Sequence, residues 1–297
     1  MRIGVVVTCL ALLLAPGSAG ASGFYEGKTL TIVVGFGAGG GYDQMARVVA
    51  RHLPRHLPGR PTVIVQNMPG AASVIAANHL YNVARPDGLT LGSFSLNLAL
   101  AQLGEQPGVK FDLRSFGWMG SLATLAGVVV VRADLPYRTY AELQRAAQPV
   151  VFGGTGPGDT SHDYPLLLQS YLGLNLRMVA GYKSVSEVML AIEGRELQAA
   201  NGAYTTLKPL IDRGVVRPIL RARASVPEIE HLPVDEDVAT DATGKQILAI
   251  RSTLDLGGRP FVTPPASPPT GSRSSARRSP RWRRTPRRSP RRRRRQC

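Results

Sequence analysis

Two glycine-rich segments hold the residues whose types and spacing best suit chemistry. The first, Gly35-Phe36-Gly37-Ala38-Gly39-Gly40-Gly41-Tyr42-Asp43, follows the β-branched run 30–34 and opens a stretch with helical spacing. Glycines let a backbone approach a ligand closely, and unpaired N–H groups at a helix start attract anions. The segment reads either as a carboxylate cradle or as a tight strand-to-helix turn with Asp43 as the helix N-cap. The second, Gly154-Thr155-Gly156-Pro157-Gly158-Asp159-Thr160-Ser161-His162, follows the run 150–153 and opens another helix. Its Thr155, Thr160 and Ser161 hydroxyls suit carboxylate oxygens without supplying a full counter-charge. A Ser/Thr-rich helix cap would use at least one of them itself.

A third turn, Asn67-Met68-Pro69-Gly70-Ala71-Ala72-Ser73, also lies between a strand and a helix start, which puts Asn67, Gly70 and Ser73 near the same cleft. Tyr182 and Tyr204 follow the runs 176–180 and 197–201, where a tyrosine either meets a ligand or packs. Other chemistries have less support. Gly35, Gly37 and Gly40 satisfy G-x-G-x-x-G, so a nicotinamide-dinucleotide oxidoreductase stands as an alternative. That fold wants an acid at the end of the second strand, yet no Asp or Glu occurs between Asp43 and Asp87. His52 and His56 are separated by Pro54 with no third ligand at metal-site spacing. Ser161, His162 and Asp163 are adjacent, so their side chains diverge and form no relay. The reading is of a protein with no catalytic residues, metal or cofactor.

These loops need elements to hold them, and the chain supplies an alternation. Candidate strands occupy 30–34, 63–66, 89–93, 127–132, 150–153, 176–180, 197–201 and 215–220. Candidate helices occupy 42–56, 72–82, 139–146, 161–172, 185–193 and 205–213. Such alternation implies crossover connections and parallel strands. The helix 139–146 offers Tyr140, Leu143 and Ala147 as an apolar face. The expected fold is α/β and two-lobed, each lobe a mostly parallel sheet flanked by helices. The division is 22–128 plus 222–265 for the first lobe and 129–221 for the second.

The ends differ from this body. Residues 1–21 carry Arg2, the apolar run 3–14 and Ala19-Gly20-Ala21, the pattern of a signal peptide cut near Ala21. The run is too short to cross a bilayer, so an exported, soluble protein is expected. Both cysteines, Cys9 and Cys297, lie outside the body, which excludes a disulfide framework there. The net charge of +16 suggests nucleic acid, but residues 266–297 hold thirteen Arg and no acid. Removing these and Arg2 leaves 22 basic against 20 acidic residues, so no nucleic-acid groove is expected in the body. The segment 266–297 lacks Val, Leu, Ile, Met and Phe and is expected to be disordered. It reads either as a polyanion-binding arm or as the product of a shifted reading frame.

Taken in order, TLTIVVGFGAGGGYDQMARVVARHL, TVIVQNMPGAAS, ARPDGLTLG, VVFGGTGPGDTSH and GYKSVSEVMLAIEGREL resemble the substrate-binding proteins of tripartite tricarboxylate transporters, the TctC or Bug family. The resemblance covers roughly residues 24–265. It implies a periplasmic Venus-flytrap that acts as a monomer, closes on a small carboxylate and delivers it to membrane permease subunits. The family's ligand loops map onto Gly37, Gly39, Gly40, Gly41, Tyr42 and Asp43, onto Asn67 and Gly70, and onto Thr155, Gly156, Thr160 and Ser161. Two departures stand out: Gln198 replaces a carboxylate present in many relatives, and Tyr42 replaces a small hydroxyl residue. The charge distribution carries a test. A chain truncated after Pro265 should give no salt-sensitive retardation of duplex DNA, and retardation that survives truncation would place a polyanion site in the body.

Overall fold

The computed structural model describes residues 23–266. The expected signal peptide and the segment 267–297 lie outside the described residues. The first sheet contains β1 (Thr29–Val34), β2 (Thr62–Asn67), β3 (Thr90–Ser93), β4 (Gly117–Ser121) and β10 (Pro260–Thr263), in the order β2-β1-β3-β10-β4. The second contains β5 (Gly127–Arg132), β6 (Val150–Gly153), β7 (Leu176–Val179), β8 (Ala199–Ala203) and β9 (Val216–Arg221), in the order β7-β6-β8-β5-β9. The α/β fold with two sheets flanked by helices is the one expected, but the sheets are mixed rather than mostly parallel. In each, two pairings are parallel and two antiparallel. The reason is topological: β5 and β10 carry the chain from one sheet into the other, and each runs antiparallel to both of its neighbours.

Alternation along the strands builds a core on each face. Val129 and Val131 enter one cluster of the second sheet while Val128 and Val130 enter the other. All four are fully buried, as a period of two demands of a central strand covered on both sides. In the first sheet Val33 joins one cluster, and Leu30, Ile32 and Val34 join the other. The covering helices are α1 (Gly41–His52), α2 (Val74–Asn82) and α3 (Leu98–Leu103) for the first sheet. For the second they are α4 (Tyr140–Gln144), α5 (Thr160–Leu172), α6 (Val185–Glu193) and α7 (Tyr204–Asp212). On α4, Tyr140 and Leu143 are buried as their spacing predicts, whereas Ala146 and not Ala147 completes the face. The helix stops at Gln144, so the chain turns before Ala147 can come round.

Beyond β9 the chain still packs on the second sheet. Ile229 belongs to one core of the second sheet. Ala239 and Leu248, from the region of α8 (Asp235–Val238) and α9 (Ala242–Leu256), belong to the other. We propose that the second lobe extends to about residue 256 and that only β10 returns to the first. At this passage the Leu125 amide donates to the Asp255 carbonyl at 2.9 Å. Gly258 has φ +62°, and a Cβ there would overlap the Ala123 carbonyl oxygen. Gly258→Ala should therefore lower the thermal midpoint by several degrees, at about 2–4 °C per kcal/mol in a chain of this size. Gly23→Ala, with nothing within 4 Å of the added Cβ, should leave it unchanged.

Candidate functional site

The first glycine loop meets the 183–186 turn of the second lobe across the gap between the sheets. The Gly37 amide donates to the Lys183 carbonyl at 2.9 Å, and the Ser186 hydroxyl donates to the Gly39 carbonyl at 2.6 Å. A Cβ at Gly37 would stand 3.1 Å from Lys183, and one at Gly40 would stand 3.2 Å from Ser184. One at Gly41 would overlap the Arg259 guanidinium and the Thr206 hydroxyl. Glycine is thus needed here as much for the approach of the opposite lobe as for any ligand.

Asp43 holds this loop from behind. It is buried, and its carboxylate accepts from the Gly39 amide (2.9 Å), Arg47 Nε (2.8 Å) and Asn67 Nδ2 (2.9 Å). The same Asn67 amide donates to the Phe36 carbonyl at 3.0 Å. The helix N-cap is Gly40, not Asp43, and it offers no side chain to the first turn of α1. The Gly41, Tyr42 and Asp43 amides consequently find no acceptor among the described residues. In the second loop Asp159 is the N-cap of α5. Its Oδ1 accepts from the Ser161 amide (2.9 Å) and hydroxyl (2.6 Å), while Ser161 Oγ accepts from the Thr155 amide at 2.9 Å. The Thr160 hydroxyl accepts from Asn97 Nδ2 across the gap at 2.6 Å.

Between these loops lies a cavity of about 80 Å³, lined from the first-sheet side by Phe36, Gly40, Gly41, Tyr42, Ser95 and Arg259. From the other side come Asp159, Thr160, Ser161, Ser184, Asn201 and Thr206. Phe36 and Tyr42 stack at 4.7 Å and form an aromatic wall. Among the described residues, five buried side-chain atoms lack a hydrogen-bond partner: Ser93 Oγ, Ser184 Oγ, Asn201 Oδ1, Arg251 Nε and Arg259 Nε. All but Ser93 belong to residues lining this cavity. A buried polar atom with no partner is unfavourable by about 1–3 kcal/mol, so their convergence marks a place built for an occupant.

The two arginines here differ. Arg251 pairs with Asp255 at 2.9 Å and Asp235 at 3.2 Å and lies 4.1 Å from the Tyr164 ring. Burial works against its charge, but Tyr164, Asp255 and Asp235 outweigh that and keep it charged. Arg259 is equally buried, yet among the described residues it has no carboxylate within ion-pair distance. Its Nη2 donates to the Thr206 hydroxyl at 3.0 Å, and its guanidinium lies 5.5 Å from the Tyr42 ring. Burial lowers its affinity for a proton, with Tyr42 opposing.

Of the residues expected to bind ligand, Gly40, Gly41, Tyr42, Thr160 and Ser161 come together on this cavity. Gly70, Thr155 and Tyr182 line a second opening of about 350 Å³ beside it. Gly37 and Gly39 serve the contact between lobes, and Asp43 and Asn67 brace the loop. Tyr204 is buried in a core of the second sheet, and Gly156 lines neither opening. Sequence reading missed Ser95, Asp159, Ser184, Asn201, Thr206 and Arg259. Asp159 and Ser184 carried a signal, since Ser184 stands immediately before a predicted helix and Asp159 two residues before another.

Two sheets joined by crossing strands, with a polar cavity between them, define a solute-binding protein of the periplasmic type. The family model "Tripartite tricarboxylate transporter family receptor" (TctC) matches residues 45–230, and the chain belongs to that family of solute-binding receptors. A UPF0065 protein of Agrobacterium vitis, named for the TAR-I ttuE-ttuC' intergenic region, is 30% identical over 206 residues. The match covers 67% of this chain and 58% of that protein, so the chain spans little more than half its relative's length. The structure of the periplasmic binding protein BugD superposes with a TM-score of 0.68 at 22% identity, over 82% of this chain and 79% of that one. MatC from Rhodopseudomonas palustris with bound malate superposes at 0.63 and 20% identity, over 81% and 79%.

The brace behind the first loop gives a test with a defined pH dependence. Burial alone would raise the Asp43 pKa, but Arg47, the Gly39 amide and Asn67 together hold it below the ordinary carboxylate value. A depressed carboxylate stabilises the fold above its unfolded pKa of about 3.9 and loses that contribution as pH falls. Asp43→Ala should cost about 2–3 kcal/mol at pH 7 in denaturant unfolding. The gap to wild type should shrink below about pH 4.

Proposed function

We propose that this chain is an exported periplasmic receptor, acting as a monomer. It captures a small carboxylate between its two lobes and presents it to the permease subunits of a tripartite tricarboxylate-type transporter, without performing chemistry. The observation that carries the reading is the set of partnerless polar groups on Ser184, Asn201, Arg251 and Arg259, gathered on one cavity between the sheets. Family membership and the malate in MatC support a carboxylate as the occupant.

In this reading the start of α1 supplies the Gly41 and Tyr42 amides, each contributing about 0.3–1 kcal/mol toward an anion. Thr160, with Ser161 fixing the turn behind it, forms the opposite wall. Gly37 and Gly39 act as the latch that the Lys183–Ser186 turn closes, excluding water and strengthening the polar contacts. Gly70, Thr155 and Tyr182 border the entrance. The pattern at residues 1–21 accounts for export.

A thermal-shift screen of small mono-, di- and tricarboxylates tests the proposal. An acid present at 100 times its Kd stabilises the folded state by about 2.7 kcal/mol, a rise of roughly 5–10 °C in the melting temperature. No response to any acid, or a comparable response to a nicotinamide nucleotide, would overturn it.

A further inference from the structure

The cavity's charges are unequal in their accounts. Four charged residues line it: Asp159, Arg251, Asp255 and Arg259. Arg251 is already paired, with Asp255 at 2.9 Å and with Asp235 at 3.2 Å. Arg259 and Asp159 remain, the first with no carboxylate partner and the second with no cationic one among the described residues. The guanidinium of Arg259 is packed against Gly41, where any Cβ would overlap it, so it sits at the amino end of α1. Two positive features, a helix start and a buried guanidinium, are thereby pressed together, an arrangement that an anion between them would relieve. Thr206 orients one arm of the fork and leaves Nε unoccupied.

Asp159 has the opposite character. Its Oδ1 is engaged by Ser161, and its Oδ2 meets no donor among the described residues. A second anionic group on a ligand would be repelled there, whereas a hydroxyl or other donor would be welcomed. The cavity volume of about 80 Å³ is modest, which suits a small ligand.

Building on the receptor reading above, we propose that Arg259 anchors one carboxylate and that Asp159 excludes a second. The site then selects a small monocarboxylate with a hydrogen-bond donor at its far end. This sets the chain apart from MatC, whose structure holds the dicarboxylate malate.

Calorimetric titration at constant ionic strength with butyrate, 4-hydroxybutyrate, succinate and butyramide provides the test. Wild type should bind the two monocarboxylates at least tenfold more tightly than succinate and should ignore butyramide. Arg259→Gln should weaken butyrate at least tenfold while raising the ligand-free melting temperature, because an uncompensated buried cation has gone. Asp159→Asn keeps an oxygen to cap α5, and it should narrow the preference for butyrate over succinate to under threefold. If Arg259→Gln does not fold, Thr206→Val decides, with at least a threefold loss of butyrate affinity expected and an unchanged affinity refuting the anchor. Succinate bound as tightly as butyrate by wild type, or butyrate held within threefold by Arg259→Gln, would overturn the inference and leave the receptor reading standing. If larger acids bind and these three do not, the inference alone falls; if no acid of any size binds, both fall.

Discussion

A polar group removed from water needs a partner, and the cleft between the sheets is where this chain leaves that need unmet. Along one wall of the same cleft the charged groups do find one another. Tyr164, Asp235, Arg251 and Asp255 are all buried, and the Tyr164 hydroxyl donates to Asp235 at 2.8 Å while Arg251 bridges both acids. Burial pushes the Asp235 and Asp255 carboxyls up, with Arg251 pulling the other way, so the group holds together only as a set. Arg251, whose Nε alone is left without a partner there, lines the same cavity as Arg259, which has the same burial and no carboxylate around it among the described residues. In the proposal above, the ligand's carboxylate supplies the partner that Arg259 lacks among the described residues.

The first glycine loop contributes only main-chain atoms to the contact between the lobes. Gly37 gives its amide to the Lys183 carbonyl, and the Ser186 hydroxyl reaches the Gly39 carbonyl, so the loop's main chain meets the second lobe beside the cavity. Any side chain at Gly37, Gly40 or Gly41 would prop the lobes apart. Asp43 makes such a side-chain-poor loop hold its shape, because three donors from three places converge on one carboxylate. The loop needs a brace because glycine, the residue that permits close approach, also carries the largest conformational entropy in the unfolded chain.

The glycine loops, the fold class and most strands of both sheets were legible because β-branched runs and helix-start residues act locally. What escaped has particular causes. The fifteen-residue α9 shows no apolar stripe, since Arg251, Ser252 and Asp255 face inward beside Leu248. Those residues are buried only because Asp235 and Tyr164, distant in sequence, complete them. β4 is exposed along its whole length and offers no alternation, and β10 starts with a proline. The roles of Asp43 and Asn67 were not legible either: an acid and an amide near a glycine loop look the same whether they face a ligand or brace the loop from behind. Arg259 was hidden differently. One arginine in Gly-Gly-Arg-Pro has no local signature of burial.

The position of Arg259 in the topology links binding to the arrangement of the lobes. Its amide donates to the Ser121 hydroxyl of β4 at 3.0 Å, so its backbone belongs to the first sheet, while its side chain reaches Thr206 on α7 of the second. It follows Gly257 and Gly258, the segment where the chain returns from the second lobe and where Gly258 packs on the Ala123 carbonyl of the outward crossing. An anion held by this guanidinium is therefore in contact with both lobes at the strand that joins them. A ligand shifts a conformational equilibrium only by its difference in affinity for the two states. Here that difference has a structural source. Opening the lobes would separate Arg259 from Thr206 on α7 and would return the guanidinium to water, where the anion has far less to gain from it.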